Sequence, residues 1–380
     1  MGKKGLLIYG SSIQCADLLY ATNFSVMDPF FYFEAGKKKY VVVSSLELER
    51  TRIECKKGIV VLDREELLFN SRHKTPEELL SKLIEKFPCK TWILHKDFPY
   101  SFSCCLSNLL AGNRLSSISK TEFGSFLIKR RRKTKYDLEQ IKKALDLAEK
   151  AMARAKNILK NSKINNRSEL VYQGKKLTSE FIKSEINIEI VKGGGHVHGT
   201  IVASGRQTSI PHDTGTGIIK SNVPIIIDIF PRLEKTGYWG DITRTFVKGK
   251  APEIIKKAYL AVKKARDYAK AKVAAGIIPD KIYKETVYLL GNQGFKTGKK
   301  NNKYFGFFHS LGHGVGLDIH ELPRLAPSIT TPLEPGDLFT IEPGVYYSKW
   351  GGIRLEDMVY LDSRGYPQFL TSYPDELEIT

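Results

Sequence analysis

The chain has 380 residues, 42% of them hydrophobic and 27% charged, with a formal net charge of +19 at neutral pH. That length exceeds one comfortable core and predicts two domains; the balance of apolar and charged residues excludes a disordered or fibrous chain. No stretch approaches the ~18–20 apolar residues of a membrane span, and five cysteines without a CxxC pair speak for reduced thiols and against a cysteine metal site.

At the N terminus the apolar run after two lysines is too short for a secretion signal. Leu6 stands where a myristoylation motif has Ser or Thr, so a cytoplasmic protein is expected. LLIYG, FFYFEAGKKKYVVVSS and TWILHK are strand-like, with Gly36 at a hairpin turn. EELLSKLIEKF is an amphipathic helix, and these segments predict a small α/β domain over 1–128. His73 and His95 stand alone in it and carry no catalytic constellation. The basic run KRRRKTK at 129–135 is expected to be a solvated connector into the next helix. Since no aromatic residues interleave the basic ones, the positive charge is assigned to a solvated surface, with no membrane and no specific nucleic acid as partner.

Leu138, Ile141, Leu145, Ala148, Met152, Ala155 and Leu159 recur at three- and four-residue steps and predict a long helix opening a second domain, 129–380. Helices are also expected over SELVYQGKKLTSEFIKSEI (168–186) and APEIIKKAYLAVKKARDYAKAKVAAG (251–276), with strands and glycine-rich turns elsewhere. In the buried strand PIIIDIF one charge stands out, Asp228, which is costly there unless paired or bound to a metal. YWGDITRTFV reads as the returning strand, with Asp241, Thr243 and Thr245 on one face. The pattern repeats. LFTIEPGVYY carries Glu342, and GGIRLEDMVYL carries Arg354 and Glu356 on one face. Asp228 and Asp241 are thirteen residues apart, Glu342 and Glu356 fourteen.

Between these two acidic hairpins lies HSLGHGVGLDIHELP, with His309, His313 and His320. Its glycines disfavour a helix, and the helical zinc motif HExxH is absent because Leu322 and Pro323 follow Glu321. Four carboxylates and one imidazole suit two divalent cations that generate a nucleophile from water at neutral pH. The oxygen-rich set favours Mn²⁺, with Co²⁺, Fe²⁺ or Zn²⁺ as alternatives.

IDIF…GYWGDITRTF, GHGVGLDIHELP, TIEPGVY and IRLED together resemble the pita-bread metallopeptidases, a family that holds Xaa-Pro aminopeptidases, Xaa-Pro dipeptidases and methionine aminopeptidases. The resemblance covers about 129–380 and departs only in an Asp228–Asp241 gap two residues longer, which lengthens the turn. It implies an α/β (α+β) chain: a C-terminal pita-bread domain behind a smaller creatinase-like α/β domain. The implied metal ligands are Asp228, Asp241, His313, Glu342 and Glu356, with Asp241 and Glu356 bridging and Arg354 supporting them. His320 would donate to the scissile carbonyl, Glu342 would double as proton shuttle, and His212 would line the prime side. The glycines beside His313 would let the backbone turn tightly. His309 and His196 receive no direct role, and His198 edges the substrate cleft.

An N-terminal domain and the ITRTF segment resemble the proline-specific branch, which implies a homodimer acting on peptides with proline second. Xaa-Pro aminopeptidase is the first expectation and Xaa-Pro dipeptidase the alternative, with Arg324 placed to hold a free proline carboxylate. A non-catalytic scaffold binding nucleic acid or protein is the alternative of another class. Scaffold relatives tend to lose ligands; all five are present here. A metal-dependent amidohydrolase on a non-peptide substrate is a further alternative.

Overall fold

The computed structural model describes residues 4–109 and 129–380. They fall into two compact units, Met1–Arg130 and Arg131–Thr380. The expected domain end at residue 128 lies outside the described residues.

The first unit is built on a mixed sheet of β1 (Lys4–Gly10), β2 (Phe30–Ala35), β3 (Lys38–Val43), β4 (Ile59–Asp63) and β5 (Thr91–Leu94), in the order β4-β3-β2-β1-β5. Alternation sends Leu7, Phe31 and Phe33 to one face, against Leu79, Leu80 and Leu83 of a helix at Pro76–Lys86. Ile8, Phe30, Tyr32 and Val41 go to the other, against Leu18 of a helix at Ala16–Thr22. Gly36 turns β2 into β3 at φ 67°. His95 is structural: it is buried, with Nε2 3.1 Å from Asp17.

The second unit opens with α1 (Lys135–Asn161), started by a capping box between Thr134 and Asp137. Its apolar stripe is buried from Ile141 to Leu159 as the spacing predicts, with Leu138 half-buried. The helix expected over 168–186 is corrected. Gln173 (φ 50°) and Gly174 (φ 76°) form a tight turn between strands Leu170–Tyr172 and Lys175–Lys176. Only then does α2 (Ser179–Lys192) begin, where Thr178 Oγ1 accepts the Phe181 N–H. The expected third helix is α3 (Glu253–Lys272). A further helix, α4 (Pro279–Asn292), was not anticipated; its buried positions Ile282, Thr286 and Leu290 are spaced by four but include a threonine. Helices α3 and α4 cover an apolar core with Phe339, Ile341, Val345 and Ile353.

The strands that matter for the site are β6 (Ile201–Ser204), β7 (Ile225–Ile229), β8 (Ile242–Lys248), β9 (Gly312–Gly314), β10 (Glu321–Leu325), β11 (Leu338–Ile341), β12 (Gly344–Tyr347), β13 (Gly351–Arg354) and β14 (Asp357–Leu361). β6, β7 and β8 are antiparallel neighbours; β10, β9, β11 and β14 form the core of a second sheet, while β12 pairs with β13 and bridges Gly306 through Tyr346. The two strands expected to run through Glu342 and Glu356 are each broken there. Pro343 lacks an N–H to continue a ladder. At the breaks, Glu342 N–H donates to Leu311 O at 2.8 Å and Glu356 N–H to Thr243 O at 3.1 Å.

The basic run is only partly the solvated connector it was expected to be: Lys129, Arg132 and Lys135 are exposed. Arg130, Arg131 and Lys133 are buried. Arg130 donates to Asp17 at 2.7 Å within the first unit. In the second unit, Arg131 grips both oxygens of Asp337 at 2.6 Å, and Lys133 pairs with Glu321. Burial in ion pairs removes these cations from any surface a polyanion could reach. Among the described residues no helix is long and apolar enough to cross a membrane.

Asp337 is fully buried and carries the charge opposite Arg131. Asp337→Ala is therefore expected to destabilise the protein by about 3 kcal/mol, since it strips a buried cation of its two-pronged partner and leaves only the longer pair with Glu334. Urea unfolding of the variant beside the parent measures it.

Candidate metal centre

Strand β7 is an isoleucine ribbon interrupted by Asp228, and its register with β8 pairs Ile229 with Ile242. Asp241 thus sits one residue before β8. Its approach is fixed from α1: the Tyr238 hydroxyl donates to Asp137, and Gly240 packs so tightly that a Cβ would lie 2.4 Å from Leu145 N. His313 stands at the centre of β9. The flanking glycines have a reason different from the expected tight turn. Neither has a positive φ; a Cβ on Gly312 would lie 1.9 Å from Thr340 O, and one on Gly314 2.2 Å from Leu322 O. They let three backbones crowd together. Glu342 and Glu356 occupy the two strand breaks.

These segments converge. Ligand atoms of Asp241, His313 and Glu356 all lie within 4.8 Å of one another. His313 Nε2 is 3.7 Å from Asp241 Oδ2 and 3.6 Å from Glu342 Oε1. Burial, helped by the charge of His320, pushes the His313 pKa down to about 3. The ring is neutral, and Nδ1 lies 3.2 Å from Gly314 O. A proton placed on Nδ1 donates to that carbonyl and leaves the Nε2 lone pair facing the carboxylates, as a metal-binding imidazole requires.

Burial and mutual repulsion raise the acids. Asp241 and Glu342 stand well above the usual carboxylate range, burial first and the Glu356 charge second. Glu356 is pushed up to about 7 by burial and by Asp228. Its neighbour Asp357 is held low despite burial, because Arg244, Arg266 and Lys270 surround it. Adjacent acids thus carry opposite shifts, set by whether cations face them. Arg354 donates to Asp228 Oδ2 at 2.7 Å, while the buried Asp228 Oδ1 has no hydrogen-bond partner among the described residues. Thr243 Oγ1 donates to Glu356 at 2.8 Å. Close buried carboxylates, a neutral imidazole aimed at them and an orphaned oxygen fit divalent cations.

A cleft of about 590 Å³ is lined by all five residues and by His212, His320, Arg324 and Arg354. Arg324 pairs with His313 across β9 and β10, so the two side chains share a face. His198 is absent from the lining; it rests on Trp239, ring centroids 4.8 Å apart, while its neighbour Gly199 lines the cleft. His196 is exposed, 4.0 Å from Glu234. His309 is tied to Tyr346, whose hydroxyl lies 3.0 Å from both His309 Nε2 and Arg354 Nη1. Sequence reasoning missed Tyr346. The available signal was a tyrosine in a buried apolar strand, whose hydroxyl needs a partner.

Metal binding requires the deprotonated carboxylates. Mn²⁺ binding is therefore expected to release protons near pH 7 and to weaken as pH falls through the Glu356 value of about 7. Titration calorimetry in two buffers of different ionisation enthalpy counts those protons. Asp241→Ala and Glu356→Ala are each expected to lose at least one bound metal.

The model of metallopeptidase family M24 matches residues 139–363. A putative Xaa-Pro aminopeptidase of Mycoplasma genitalium is 34% identical over 234 residues, 60% of this chain and 60% of that one. An Xaa-Pro dipeptidase of Pyrococcus furiosus is 33% identical over 238 residues, 61% of each. The chain thus aligns with about three fifths of the length of these curated relatives. Its fold is that of the prolidase from Pyrococcus horikoshii (TM-score 0.79, 24% identity, 98% of this chain and 95% of that one). It is also that of an X-Pro aminopeptidase from Thermotoga maritima (TM-score 0.81, 22% identity, 99% and 97%), so the pita-bread expectation holds. With the family model spanning well over half of it, the chain belongs to metallopeptidase family M24.

Proposed function

We propose that the protein hydrolyses the peptide bond between an N-terminal residue and proline, as an Xaa-Pro aminopeptidase. The observation that carries this is convergence: five candidate ligands from five separate segments line one cleft with His212 and His320. The relatives named as Xaa-Pro peptidases align over about three fifths of the chain. In this reading Asp228, Asp241, His313, Glu342 and Glu356 would hold two divalent cations, Mn²⁺ first. When bound, the cations polarise the scissile carbonyl and acidify water.

The chain's own residues do the rest. Burial and the charges of Arg324 and His212 lower the His320 pKa, so its ring is neutral at pH 7 and donates one N–H. That donor meets the carbonyl oxygen as negative charge develops on it. Glu342 takes a proton from the attacking water and delivers it to the departing proline nitrogen. The carbonyl carbon gains the water oxygen as the C–N bond breaks. Exposed on the cleft wall, His212 contacts the substrate on the prime side of the scissile bond. Arg354 keeps Asp228 oriented. The same reading makes the first unit the creatinase-like domain of a cytoplasmic homodimer.

A second reading, Xaa-Pro dipeptidase, is favoured by Arg324. It lines the cleft on the face of His313, where a guanidinium can grip the carboxylate of a C-terminal proline.

Protein stripped with EDTA is expected to be inactive and to recover with Mn²⁺. Cleavage of Ala-Pro-Ala supports the aminopeptidase reading; cleavage of Ala-Pro alone, lost in Arg324→Ala, supports the dipeptidase. Two bound metals without cleavage of either peptide overturn the substrate class. His320→Ala is expected to lower kcat by roughly 10²–10³ with metal content unchanged; loss of metal would contradict the role given to His320.

A further inference from the structure

The segment between β9 and β10 carries His313 at one end and His320 at the other, and Glu321 closes its base. The Glu321 carboxylate lies directly over Gly316, where a Cβ would come within 2.3 Å of Oε1. Its Oε2 accepts the Asp318 N–H at 3.3 Å. From the far side, the Trp239 backbone N–H donates to Gly316 O at 2.9 Å and its indole N–H to Leu317 O at 3.2 Å. Residues 316–318 are thus held between a tryptophan and a carboxylate.

That carboxylate is fixed by Lys133. The two side chains form an ion pair and are each 2% exposed. Lys133 is itself anchored, since its N–H donates to Gly336 O at 2.9 Å and Arg131 grips Asp337. A buried carboxylate deprived of its counter-charge protonates or swings towards water. Either change releases the Asp318 N–H and shifts the backbone adjoining His320, whose ring centroid is 4.2 Å from that of His313.

We propose that Lys133 is a positioning residue for the hydrolytic reaction: through the Glu321 carboxylate it sets the 315–320 loop and with it the His320 ring. The inference rests on the function proposed for His320, and it gives part of the basic run a task in the cleft rather than at the surface.

The test compares the Mn²⁺-loaded protein with Lys133→Met on whichever of Ala-Pro-Ala and Ala-Pro the parent cleaves. The double variant Lys133→Met/Glu321→Leu removes both members of the ion pair and serves if the single variant does not fold. A displacement of the order of 1 Å predicts a fall in kcat of about 10²-fold, with KM and bound metal unchanged and most of the loss recovered by Lys133→Arg. In a His320→Ala background the same substitution should change kcat by less than about twofold, because both changes act through one group. Amide hydrogen exchange should rise at 315–320, a readout that needs no cleavage. Parental kcat in Lys133→Met, a full loss persisting in the His320→Ala background, or unchanged exchange at 315–320 would overturn the proposal. If the parent cleaves neither peptide, the functional reading fails, and exchange alone then decides whether Lys133 sets the loop.

Discussion

Like charge crowded out of water is the constraint on which the second unit depends. Asp241 and Glu342 are raised by burial and by Glu356, and Glu356 by burial and by Asp228. Two unit charges 4 Å apart interact by about 4 kcal/mol at an effective dielectric near 20. A few such repulsions rival the ~5–15 kcal/mol by which a folded domain exceeds its unfolded state. The cluster therefore exists on two conditions: protons or cations must sit among the carboxylates, and the surrounding backbone must be stiff enough to hold them together. Arg354 on Asp228 supplies one fixed positive charge.

The stiffness has a visible origin. Each acid stands at a strand's end or in a buried ladder, with its backbone held by another segment. Glu342 is bonded to the residue before β9 and Glu356 to β8. Arg244 donates to the Glu356 carbonyl at 2.6 Å and to Asp357 at 2.9 Å, linking the two halves of the cluster from behind. Glycines 312 and 314 matter because no side chain fits where they lie. Packing without side chains brings the imidazole close, and hydrogen bonds at interrupted ladders aim the carboxylates.

Much of this was legible in the amino-acid order. An aspartate alone in PIIIDIF must have a partner, and its recurrence at a similar spacing in a second hairpin pointed to one shared centre. The stripe from Leu138 to Leu159 announced α1 because its period was unbroken. Other features were hidden by local ambiguity. SELVYQGKKLTSEF alternates weakly enough to pass for a helix, and only the positive φ of Gln173 and Gly174 turns it into a hairpin. Helix α4 has a threonine in its buried stripe. The run KRRRKTK reads as surface because composition cannot reveal that Asp337 and Glu321, some two hundred residues on, are waiting for it. The Tyr346 bridge from Arg354 to His309 joins strand to loop through tertiary contacts alone.

The candidate ligands come from segments scattered from Asp228 to Glu356, and Glu356 is bonded to Thr243 across 113 residues. Contacts of such sequence separation form late, after much loop-closure entropy has been overcome. A nascent chain emerging from the ribosome therefore displays Asp228 and Asp241 long before Glu342 and Glu356 exist. The complete set of candidate ligands exists only once Glu356 has joined the fold. The metal that fills the cleft is then decided by what the surrounding solution offers to a completed fold.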